Sequence, residues 1–138
     1  MSTTIRPELS INNKYWIERH RYYELKHFCL QYPIWEKAYQ SIDGLPERSL
    51  ESVATTNYHL SKPVESYVEK RMYYSERMDL IKQVAMSTSP DLWGYIFKGV
   101  TTGVSYDYLK ARLEIPCCKD TYYDLYRRFF WLLDKARK

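Results

Sequence analysis

Between Lys119 and Arg128 the chain carries a set of side chains suited to hydrogen bonding along a DNA duplex. If this stretch is helical, Lys119, Tyr123, Asp124, Arg127 and Arg128 fall on its outward face, with Thr121 in the first turn. Lys119, Thr121, Tyr123 and Asp124 have the donors and acceptors that meet base edges, while Arg127 and Arg128, with Lys110 and Arg112 just upstream, suit phosphates. From residue 105 onward there are eight basic and five acidic residues, a net of +3 out of +4 for all 138 residues. The excess positive charge therefore lies beside these groups, where attraction to a polyanion needs it.

Other reactive side chains point to no catalytic chemistry. His20 and His27, seven apart, could share a helix face, but no nucleophile with an orienting acid lies near them in sequence. The chain has no phosphate-binding glycine loop, nucleophile elbow or His pair at metalloprotease spacing, so no enzyme and no cofactor is expected. Cys29, Cys117 and Cys118 are an odd number, and the vicinal pair cannot close on itself without strain; this predicts free thiols in a reducing cytoplasm. The histidines stand far from Cys117, so no metal is expected. No stretch is long and apolar enough to span a bilayer, and the first twenty residues hold no signal-peptide core.

The elements that must position the basic face are read from periodicity. Ser105 is placed to cap a short helix whose stripe is Tyr106, Leu109 and Leu113, with Lys110 and Arg112 outward. Pro116 forces a turn from Glu114 to Cys118, and a second helix follows with Asp120 and Thr121 in its first turn. Its buried face is expected to be Tyr122, Tyr126 or Leu125, Phe129, and Leu132 or Leu133. Upstream, Ser89, Pro90 and Asp91 mark a helix start and Gly103 its end, with Trp93 and Phe97 expected to pack on Leu109 and Leu113. Helix-turn-helix pairs of this outline also close the cores of proteins that bind no DNA.

Residues 1–13 read as a loose lead-in, and 14–45 as an N-terminal aromatic helical hairpin with helices near 17–30 and 34–41, broken at Pro33. Trp16, Tyr22, Tyr23 and Trp35 in this hairpin are expected to pack the core or a protein partner. Residues 46–62 read as a linker or loop. A long helix is predicted from Pro63, with Ser61 as cap and Glu65 on its dipole, forming with the C-terminal pair a unit 63–138. That helix is expected to be the scaffold for the C-terminal pair, with a homodimer seam as its alternative role.

The pattern Gly-Val-Ser-Tyr-Asp-Tyr-Leu at 103–109, followed by Leu113, Ile115, Thr121 and Tyr122, resembles the promoter-reading C-terminal region of bacterial sigma factors, region 4. It is similar above all to the small sigma-like late-gene regulators of phages and prophages of Gram-positive bacteria. The resemblance covers about the final third of the chain. Glu114 stands where a turn glycine is usual, Lys110 where a small residue is usual, and the turn through Asp120 is longer. It implies an all-α helical bundle ending in a helix-turn-helix, with Thr121, Tyr123, Asp124 and Arg127 facing the groove. The partners implied are double-stranded DNA and host RNA polymerase. Two alternatives stay open: a protein-interaction module of a mobile element, such as an inhibitor of a host defence complex, and a DNA-recognition subunit of a packaging machine.

Overall fold

The computed structural model describes residues 13–43 and 61–137, and among them every regular element is a helix. In chain order these are α1 (Arg19–Leu30), α2 (Tyr32–Asp43), α3 (Ser61–Thr88), α4 (Trp93–Thr102), α5 (Tyr106–Leu113) and α6 (Lys119–Ala136). The lead-in up to residue 12 and the linker up to residue 60 lie outside the described residues, as do the side chains of Ser61, Pro63 and Glu65.

The chain divides into two compact units, 1–32 with 80–138 and 33–79. This differs from the expected division, in which α1 and α2 form one hairpin and 63–138 another unit. The reason is the apolar face of α1. Tyr22, Leu25, Phe28 and Cys29 are buried, and α1 packs on α4 and α6. The side chain of Tyr22 meets Phe130 edge-on at 5.2 Å between ring centres, and its hydroxyl lies 3.4 Å from that of Tyr126. On the same seam Arg21 Nε donates to Asp134 at 2.6 Å. Burial of one large apolar side chain is worth about 1.5–3 kcal/mol and an edge-on aromatic pair about 1 kcal/mol more, so these contacts outweigh proximity in sequence.

Helix α1 starts at Arg19, two residues later than expected at Ile17. Asn13 explains the delay: its side chain accepts from the Tyr15 amide at 2.8 Å and its carbonyl from Trp16 at 3.0 Å. That local turn competes with helix and leaves Tyr15 and Ile17 both facing inward. At the other end Gln31 alone separates α1 from α2, with Pro33 second in α2, where its missing amide costs nothing. Helix α3 is 28 residues long, and its last part, Leu80 to Thr88, belongs to the first unit, burying Ile81, Val84, Ala85 and Thr88.

In α4 the start is also shifted. Ser89 Oγ accepts from the Leu92 amide at 3.1 Å, holding a turn, and the helix proper begins at Trp93. Gly103 ends it in the left-handed conformation, φ 76°. Gly99, in the middle, is required by a close approach: a Cβ there would collide with the hydroxyl of Tyr122, a side chain 1% exposed. The aromatic ring of Phe97 stacks edge-on with Tyr32 at 4.9 Å, where the sequence pointed to Leu109 and Leu113.

Candidate nucleic-acid interface

Helices α5 and α6 and the turn between them are built as a tightly closed corner. Ser105 caps α5 by accepting from the Tyr108 amide at 3.2 Å, as its position in the sequence indicates. Tyr106 and Leu109 are buried, whereas Leu113, expected on the same stripe, is 42% exposed. The stripe is shortened because the chain leaves the helix at Glu114 in the left-handed conformation, φ 51° and ψ 47°. The Ile115 amide then reaches back to the Leu109 carbonyl at 3.3 Å and its side chain becomes fully buried. This closing bond with its apolar anchor is the standard way of satisfying a helix C-terminus when a residue turns left-handed.

Two further bonds fix the corner. The Tyr106 hydroxyl donates to the Cys117 carbonyl at 2.6 Å, and Lys110 Nζ to the Ile115 carbonyl at 3.5 Å. Cys118 occupies the cap position of α6, its sulfur 3.2 Å from the Thr121 hydroxyl. That hydroxyl, with the backbone amides of Thr121 and Asp120, holds the Cys118 thiol below its ordinary value. Burial pushes the neighbouring Cys117 thiol the other way, and the buried Cys29 thiol is raised further by loss of solvent.

The 18-residue α6 buries Tyr122, Phe129, Phe130 and Leu133. Phe130 was not expected inside; it lies one residue off the stripe and is enclosed because α1 covers that flank with Tyr22. The opposite side of α6 carries an open notch of about 450 Å³ lined by Asp120, Thr121, Asp124, Leu125 and Arg127. Thr121 and Asp124 are exposed there, and Lys119 and Arg127 are half-buried.

Two residues of the expected face are placed otherwise. Tyr123 is half-buried, stacks on Tyr122 and Tyr126, and its hydroxyl accepts from the Tyr106 amide at 3.4 Å; it ties α6 to the start of α5. Arg128 is turned toward the segment ahead of α1, where Nη1 donates to the Tyr15 hydroxyl at 3.4 Å while Nε is buried. Helical spacing alone would keep Arg128 beside Asp124, four residues earlier on the same side of α6; the contact with Tyr15, brought close by folding, draws its side chain away. Lys110 and Arg112 remain exposed on α5.

The aromatics expected at a protein interface divide. Tyr22 is 2% and Trp35 4% exposed, so neither offers a surface, and the interface expectation is corrected for both: broad apolar rings on these short helices are sequestered inside the chain. Trp16 stays exposed at 36% and Tyr23 is half-buried. Within the second unit the exposed apolar surface lies instead on α2 and α3, at Ile34, Val68, Met72 and Tyr73. A hollow of about 200 Å³ there is lined by Tyr39, Val68, Arg71, Met72 and Ser75, with the Arg71 guanidinium over the Tyr39 ring at 5.6 Å.

Among the described residues no group of three or more His, Cys, Asp or Glu side chains could hold a metal ion. No described helix is long and apolar enough to cross a membrane. Comparison with known families, curated proteins and solved structures finds no match in any of the three.

Proposed function

We propose that the chain is a sequence-reading double-stranded DNA binder of the sigma-like helix-turn-helix kind, a transcriptional regulator of phage or prophage genes. The observation that carries this reading is the corner itself: a capped short helix, a left-handed residue at Glu114, and a long helix whose outer side presents Thr121, Asp124 and Arg127 in an open notch. Such a helix lies in a major groove with its opening turns at base edges and its later cations at phosphates. Thr121, Asp124 and Lys119 then read, and Arg127, Arg112 and Lys110 hold; Tyr123 and Arg128 stabilise the corner and its packing.

Fluorescence anisotropy of labelled duplexes at low salt tests the reading, and absence of any duplex affinity there removes it. Arg127→Ala is expected to weaken binding and lower the slope of log K against log salt by about one, the signature of one lost phosphate contact. Arg128→Ala should leave that slope unchanged.

A second reading, a protein-interaction module, is favoured by the exposed apolar residues of α3. Under it, Met72→Glu abolishes capture of a protein partner without altering duplex affinity; unchanged capture counts against it.

A further inference from the structure

The notch on α6 holds two carboxylates, and a phosphate-binding helix has no use for them. Asp120 sits in the first turn, where it offsets the positive helix terminus. Asp124 has no such local role. It is exposed, one turn further on, and its carboxylate makes no hydrogen bond or ion pair with any described residue, although Arg127 lies three residues away in the same notch. An ionised carboxylate only accepts hydrogen bonds. Facing phosphate it repels. Facing the O6 and N7 of guanine, or the O4 of thymine, it sets acceptor against acceptor and leaves both groups unpaired and desolvated.

One kind of base edge answers it. Cytosine presents N4–H₂ as a donor in the major groove with no acceptor beside it on the same base; adenine presents N6–H₂ next to the acceptor N7. Resting on the DNA-binding reading above, we propose that Asp124 is a specificity-determining residue that selects cytosine by accepting from its N4 amino group. Thr121, one turn earlier on the notch, has its hydroxyl engaged with the Cys118 sulfur and adds a methyl group to the wall. The carboxylates also keep the opening turns of α6 off the phosphate backbone. The helix thereby gives up general affinity for discrimination between bases.

The test is selection of bound duplexes from a random pool by the full chain and by its Asp124→Asn and Asp124→Ala variants, with circular dichroism as a check on folding, which an exposed side chain leaves intact. The expected result is a fixed cytosine in the wild-type pool that becomes variable with Asp124→Ala and shifts toward adenine with Asp124→Asn, whose amide matches N6 and N7. On the selected duplex, exchanging that C·G pair for T·A should weaken the wild type about tenfold or more and the alanine variant far less. If the wild type selects a sequence but no position changes in either variant, or if it binds all duplexes alike, the inference is overturned while DNA binding stands. If the wild type binds no duplex, the DNA reading itself falls.

Discussion

Cys118 shows how much of a residue's chemistry is set by its immediate surroundings. As one of a vicinal pair it has the same side chain as Cys117, yet the Thr121 hydroxyl and the first amides of α6 stabilise its thiolate, while burial disfavours that of Cys117. The thiolate is the nucleophile, so a lowered value shifts reactivity to lower pH. Alkylation by iodoacetamide, followed by mass spectrometry across a pH series, should modify Cys118 at lower pH than Cys117 and leave the buried Cys29 untouched in the folded protein. Replacing the hydroxyl in Thr121→Val should move the Cys118 profile to higher pH. An unchanged profile would mean that the contact with Thr121 does not set the thiol.

The corner between α5 and α6 is governed by backbone conformation. Glu114 adopts the left-handed region that a side chain disfavours, and it is the sole non-glycine residue to do so among those described. The burial of Ile115 and the return bond to Leu109 impose it. Glu114→Gly should therefore relieve steric cost that exceeds the added chain entropy, raising stability by about 0.5–1 kcal/mol with an upward shift in Tm and no change in duplex affinity. A fall in Tm would show that the Glu114 side chain contributes something the backbone argument omits. The exposure of Leu113 has the same origin, since the early left-handed turn removes the surface that would have covered it.

Across the whole molecule, the placement of α6 depends on α1, which is about a hundred residues away in sequence. The two are joined by an aromatic seam and by the Arg21–Asp134 ion pair, both partners of which are about a quarter exposed. Such a partly exposed pair contributes about 0.5–1 kcal/mol and is screened by salt, whereas the fully buried Leu25 leaves a cavity if truncated. Urea unfolding should show Leu25→Ala losing about 2–5 kcal/mol at any ionic strength, and Asp134→Asn losing less than about 1 kcal/mol, with the loss fading in high salt. A large, salt-insensitive loss from Asp134→Asn would transfer the main role on this seam to the ion pair.

Local rules acting within a few residues made the helices legible. Ser105 as a cap, Gly103 as a terminator, Pro33 at a helix start and the stripe Tyr122, Phe129, Leu133 each depend on neighbours in the chain, so the all-α character and the short helix, turn and long helix at the C-terminus follow from the residues alone. What covers each face depends on partners distant in sequence. Tertiary packing decided that α1 joins the C-terminal helices, that Phe130 is enclosed, and that Tyr22 and Trp35 are sequestered while Val68 and Met72 stay exposed. It likewise drew Tyr123 and Arg128 out of the outward face, because Tyr106 and Tyr15, brought close by folding, offered them hydrogen bonds that no spacing along the chain encodes.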